Sequence, residues 1–100
     1  MTAHFIVRAE VAEAERAAFD RWYETEHLPD AKNAFGCSAA WRGWGTENPQ
    51  VHMAFYEFPD ADTARAATTA EKLKPLVAEF DRNFPNVTRS REVVEVKQAI

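Results

Sequence analysis

Cysteine occurs once and glycine three times in the 100 residues. A single cysteine, Cys37, cannot close an internal disulfide. Its neighbours in "GCSAA" bring no cation to activate a thiolate, so it reads as a buried or half-buried strand residue. So few glycines leave no phosphate loop and no dinucleotide fingerprint. No apolar run approaches the roughly 18 residues needed to cross a bilayer. The opening "MTAHFIVRAE" carries Arg8 and Glu10 where a signal peptide would need a long apolar core, so a cytoplasmic protein is expected. Twelve Lys and Arg against sixteen Asp and Glu give a net charge of −4. The nearest thing to a basic cluster is "RSR" at 89–91, which argues against nucleic acid as a partner, because a phosphate-tracking surface needs basic excess. Three histidines without clustered cysteines give no metal-ligand spacing, though His4, His27 and Glu26 could in principle meet. No Ser-His-Asp pattern stands out, and no cofactor is expected.

What is present is a soluble composition, 46% hydrophobic and 28% charged, of a length that makes residues 1–100 one domain. "HFIVRAEV" (4–11) is short, β-branched and aromatic, and reads as a strand. "AEAERAAFDRWYETEH" follows with helix formers and no Gly or Pro. Steps of about 100° put Val11, Ala14, Ala18, Phe19 and Trp22 on one stripe, with Tyr23 and His27 together on its flank. Pro29 should take Leu28 out of helical geometry and then open a short extra turn ended by Gly36. Residues 37–44 and 51–58 read as strands, joined as a hairpin by "GTENPQ". From Asp60 to Phe84 the pattern is helical in two pieces. "TTAE" (68–71) offers a capping box, and Pro75 fits only near the start of the second piece. Leu73, Leu76, Val77, Phe80 and Phe84 form a stripe expected to be buried. Residues 86–98 close the chain as a strand.

The order β-α-β-β-α-β predicts an α+β, ferredoxin-like fold: a four-stranded antiparallel sheet with its helices on one face. The other face would be bare, and a second copy of the chain is its natural cover, so a homodimer is expected.

Three stretches carry a resemblance: "FDRWYETEHLPDAKNAFG", "YEFPDAD" and "FDRNFPNVTRSREV". They resemble the EthD-like branch of the dimeric α+β barrel superfamily, and the resemblance covers most of the chain. It implies a ferredoxin-like subunit whose dimer closes two sheets into a barrel, with a small cavity between sheet and helices in each subunit. Ring cyclases, lactone isomerases, decarboxylases and cofactor-free oxygenases occur in that superfamily, and the histidine of the helix motif, here His27, is its usual functional candidate.

Topology supplies a separate expectation. The first helix runs back beside the first strand, so His27 should return near His4, and the end of the third strand brings Tyr56 and Phe58 there too. His4, Ile6 and Arg8 share one strand face; His52, Ala54, Tyr56 and Phe58 share another. If both faces turn toward the helices, His4, His27, Tyr56 and Tyr23 meet at one end of an apolar pocket, an acid/base arrangement. Arg8 and His52 would then hold an anionic group at the other end. His27, on the flank of the stripe, should reach the cavity edge without being sealed in. Trp41 and Trp44 have opposite phases, so one faces the helices; Trp41 is taken as a further ligand contact. Glu24 belongs to a solvated helix face. The functional expectation is a dimer that binds a small, partly aromatic or polyketide-like molecule. It either transfers a proton without a cofactor (cyclisation, isomerisation or decarboxylation, with His27 assisted by His4 or Tyr56), or binds without turnover; a third possibility is a pocket filled by its own aromatics.

Overall fold

The structure, a computed structural model, describes all residues 1–100. Its strands are β1 (Ala3–Glu10), β2 (Ala39–Trp44), β3 (Val51–Phe58) and β4 (Thr88–Glu95). Its helices are α1 (Arg16–Trp22), α2 (Leu28–Phe35), α3 (Ala61–Ala67) and α4 (Ala70–Asn83). The four strands form one antiparallel sheet in the order β2-β3-β1-β4, as the ferredoxin-like reading requires. β2 and β3 are the expected hairpin. Its loop closes tightly at Gly45, where a Cβ would stand 2.5 Å from the Asn48 carbonyl oxygen.

The register decides which residues meet the helices. Phe5 lies opposite Tyr56, Val7 opposite Ala54 and Ala9 opposite His52. These residues, with Trp44 opposite His52 on β2, face the helices. His4, Ile6 and Arg8 therefore point to the other side, opposite Glu57, Phe55 and Met53. The core is an aromatic cluster around Phe19, which is enclosed by the rings of Trp22, Tyr23, Trp44, His52, Phe80 and Phe84 at centroid distances of 5.1–6.3 Å. Such edge-on and tilted pairs add to the area they bury.

Between α1 and α2 the chain does not break. Tyr23–His27 forms one π-helical turn, in which Leu28 N–H donates to the Tyr23 carbonyl, and Leu28 itself is helical at φ −64°, ψ −47°. The expected exit from helical geometry at Leu28 is thus replaced by a wide turn. Pro29 lacks an N–H for the carbonyl of Thr25, and its ring crowds that carbonyl; loosening the turn just ahead relieves both. α2 ends at Gly36, whose φ of 63° is left-handed and favours glycine.

Three further expectations need correction. The cap of α4 is Thr69, accepting from Lys72 N–H at 3.3 Å, and not the Thr68 of the capping box; Thr68 Oγ1 donates instead to the Ala64 carbonyl. Pro75 lies inside α4, on its exposed side, and not near its start. Of the stripe on α4, Phe80 and Phe84 are buried, whereas Leu73, Leu76 and Val77 are only half-buried. They face a gap between α4 and the sheet. Cys37 is buried, and burial raises its thiol pKa.

Candidate functional site

The gap contains a narrow cavity of about 30 Å³, walled by Phe5, Phe35, Phe80, Leu76, Tyr56 and His27, with Arg89 and Arg91 of β4 at its edge. That volume admits a water molecule and no ring. A wider groove of about 690 Å³ adjoins it, sharing Phe5, Leu73, Val77 and Arg91 and adding Arg65 and Lys74. Groove and cavity together have the size of a small-molecule site.

His27 is held by packing alone. Its ring stacks on Trp22 at 4.5 Å, meets Tyr23 edge-on at 4.8 Å and Phe80 at 5.6 Å, and is 7% exposed. Its Nδ1 is sealed from solvent without a hydrogen-bond partner. Burial first, and the Arg89 guanidinium second, push its pKa down to about 4, so the ring is a neutral imidazole at physiological pH. His27 is therefore more enclosed than its place on the flank of the helix stripe suggested, because the π-turn rolls it inward between Trp22 and Phe80.

Beside it, Tyr23 and Tyr56 interact through their hydroxyls, and both phenols are buried. Burial raises the Tyr23 pKa to about 12 and pushes Tyr56 further in the same direction. Neither is a phenolate near neutrality. Behind Tyr23 lies a polar chain that sequence reading missed. Arg42 Nη1 donates to Asp20 Oδ1 at 2.8 Å and to His52 Nε2 at 3.3 Å, while Trp44 Nε1 donates to the same Asp20 oxygen at 2.8 Å. Arginine can only donate, so His52 Nε2 carries the lone pair and Nδ1 the proton. That Nδ1–H is buried without an acceptor. Burial lowers the His52 pKa to about 4, with the Arg42 cation adding to it, and the bonds from Trp44 and Arg42 lower that of Asp20.

Arg89 completes the wall. Its guanidinium lies 3.9 Å from the Phe80 ring centroid, bonds Asp81 Oδ1 at 2.9 Å, and has a side chain 12% exposed. The signal for the side on which Arg42 and Arg89 lie was available in strand phase; for Asp20, on α1, there was none. Ala3, Phe5, Val7 and Ala9 are all apolar, whereas the alternate phase carries His4, Arg8 and Glu10, so the odd residues had to be inside.

The structure thus brings Tyr23, His27, His52 and Tyr56 to the helix side of the sheet, with His27 and Tyr56 both on the cavity. It does not bring His4, Arg8 or Trp41 there. The expected meeting of His4 with His27 fails because β1 presents Phe5, not His4, opposite Tyr56. The trio His4, His27 and Glu26 is likewise not assembled, and no group of three His, Cys, Asp or Glu side chains is placed to hold a metal ion. Arg8 bonds Glu10 at 3.3 Å on the outer face, and His52 is committed to Arg42, so those two do not form an anion site. On that outer face Trp41 stacks on Phe55 at 5.6 Å, His4 meets Trp41 edge-on at 5.4 Å, and His4 Nε2 lies 3.3 Å from Glu57 Oε1. Trp44 is the tryptophan that faces the helices. No helix is long and apolar enough to cross a membrane.

No family model and no curated protein matches the chain. Solved structures do. An EthD family protein from Bacillus halodurans superposes with a TM-score of 0.75 at 17% identity, over 96% of this chain and 99% of that one. SnoaB, a cofactor-independent oxygenase from Streptomyces nogalater, does so with a TM-score of 0.65 at 16% identity, over 99% and 96%. A protein of unknown function from Nitrosomonas europaea gives 0.69 at 22% identity, over 99% and 92%. The α+β ferredoxin-like fold is shared across the whole chain.

Proposed function

We propose that the cleft between α4 and the sheet binds a small organic molecule and that His27 moves a proton on it without a cofactor. The observation that carries this reading is the unbonded, neutral imidazole of His27 in the wall of an apolar cavity, with a guanidinium beside it. A lone pair there can take a proton from a carbon next to a carbonyl. The electrons of that bond move onto the carbonyl oxygen as an enolate, which Arg89 and the newly formed imidazolium stabilise. Return of the proton at another carbon completes an isomerisation, and loss of carbon dioxide or ring closure from related anions uses the same groups. Tyr56, uncharged and on the cavity, is a hydrogen-bond donor for the oxygen, with the Tyr23 hydroxyl behind it. The Asp20–Arg42–His52 chain positions Tyr23, with Arg42 5.7 Å from the centroid of its ring. The fold shared with SnoaB, described as a cofactor-independent oxygenase, is in keeping with cofactor-free chemistry.

The same reading makes the protein a homodimer. The outer sheet face exposes Trp41 at 41% and Val94 at 40%, flanked by Phe55, Ile6 and Met53, and a second copy covers it.

The test is exchange of carbon-bound hydrogen. Enolisable ketones, lactones and phenolic polyketide fragments are incubated in heavy water with the protein or with His27→Phe, and loss of the proton signal is followed by NMR. Exchange that depends on His27 supports the reading, whereas equal rates for protein and variant across the panel overturn it. Binding without turnover is the second reading, and the 30 Å³ inner volume favours it, because a ligand then rests in the outer groove and never reaches His27. Saturable binding with no exchange selects it.

A further inference from the structure

The chain carries net charge −4, yet four of its twelve basic residues surround this one cleft: Arg65, Lys74, Arg89 and Arg91. Two of them already have a carboxylate partner. Arg65 bonds Asp62 at 2.8 Å and Arg89 bonds Asp81 at 2.9 Å. Arg91 and Lys74 have no carboxylate partner and no hydrogen bond to the protein, although five of the eight arginines do find a carboxylate. Arg91 lies on the helix-facing side of β4, opposite Val7, between Arg89 and Val93 in the same strand phase. The only acid along the groove is Glu92, whose side chain alternates to the outer face, opposite Ile6.

The apolar floor is as informative as the charge. Phe5, Leu73 and Val77 wall both the groove and the inner cavity, and Arg91 stands at the same seam. A molecule lying there meets hydrocarbon along its body and two unpaired cations on one side. We infer that the groove selects a small amphipathic carboxylate, its apolar body on Phe5, Leu73 and Val77 and its carboxylate on Arg91 and Lys74. This rests on the binding cleft proposed above and names the class of compound it takes. The planar guanidinium of Arg91 suits the two oxygens of a carboxylate, and Lys74 adds a mobile point charge.

Matched pairs of probes test this: 3-phenylpropanoate against 3-phenylpropanamide, and octanoate against octanamide, titrated into the isotope-labelled protein. Amide shifts in two-dimensional NMR report the site and the dissociation constant. Each acid is expected to bind about tenfold or more tightly than its amide, with shifts centred on Leu73, Val77 and Arg91. The Arg91→Gln/Lys74→Gln double variant, both exposed surface changes, should erase that preference and leave amide binding as it was. Added salt should weaken the acid and not the amide. Equal binding of acid and amide overturns the carboxylate inference while the cleft stands as a binding site. A preference that survives the double variant also overturns it, by placing the anion elsewhere. Absence of binding by all four probes at millimolar concentration overturns both the inference and the cleft.

Discussion

Acidification should unfold this protein earlier than its carboxylates alone would allow. Two imidazoles, His27 and His52, fall from the ordinary 6.5 to about 4 because folding buries them beside cations. In the unfolded chain they bind protons below pH 6.5, and in the folded chain they resist until about pH 4. The unfolded state therefore holds more protons across that window, and stability falls as pH drops from 6.5 toward 4, being fully present only above 6.5. At 1.36 kcal/mol per unit, each imidazole is worth about 3 kcal/mol when the window has been crossed, most of it by pH 4.5. The pair thus removes about 5 kcal/mol, comparable with the whole stability of a marginal domain. Asp20 works lower on the scale, since its pKa is already below 3.8, and does not contribute until the histidines have titrated. Urea unfolding at one fixed protein concentration, run at pH 7.5, 5.5 and 4.5, gives the slope directly. His27→Phe and His52→Phe, which keep a ring in each aromatic nest, should each remove about half of it. A stability that is flat between pH 6.5 and 4.5, or a double variant with an unchanged slope, would refute the burial argument for both residues.

Light scattering should give about twice 11.4 kDa at micromolar concentration, and Trp41→Glu, which charges the outer sheet face, should return the monomer mass. A wild-type monomer removes the barrel assembly. Gly36→Ala forces a side chain into a left-handed position at φ 63° and should cost about 1 kcal/mol in thermal or urea unfolding. Asp20→Ala strands the Arg42 guanidinium and the Trp44 indole N–H together, with a loss of about 2 kcal/mol by the same assay; no loss would show that water serves both groups. His27→Ala, unlike His27→Phe, opens space between Trp22 and Phe80 and should destabilise the fold by about 1–3 kcal/mol, so it is the wrong variant for reading function.

The strand order and the hairpin were legible because Gly, Asn and Pro punctuate the chain at its turns and the apolar periods between them are unmistakable. The site was half legible. Tyr23 and His27, four residues apart, stay neighbours in any helix, so their pairing survives. The meeting with His4 depended on register, a long-range property in which one residue's slip turns a whole strand over. There the expectation followed the chemistry of His4 and Arg8, while the apolar phase of Phe5 and Val7 decided the outcome. Asp20, Arg42 and His52 come from three separate elements, and only the tertiary fold makes them a chain. α4 misled in another way: its stripe of Leu73, Leu76 and Val77 has the spacing of a buried face, yet spacing does not say how far the neighbouring sheet stands off.

The wide turn at Tyr23–His27 also works as a phase shifter. In an uninterrupted α-helix at about 100° per residue, the twelve steps from Phe19 to Ala31 would leave them about 120° apart. A single π-turn takes up one residue without advancing the rotation, which brings them to within about 20°. Both are in fact buried on the same side, at 0% and 1% exposure. Tightening this turn to α-helical winding at constant length would rotate Ala31 and Phe35 off the sheet, whereas deleting one of its residues would regularise the hydrogen bonds and leave them in phase. The corner therefore absorbs one residue of chain length, and its wide winding is what lets a chain of this count through "YETEH" carry His27 and Phe35 into the same interior.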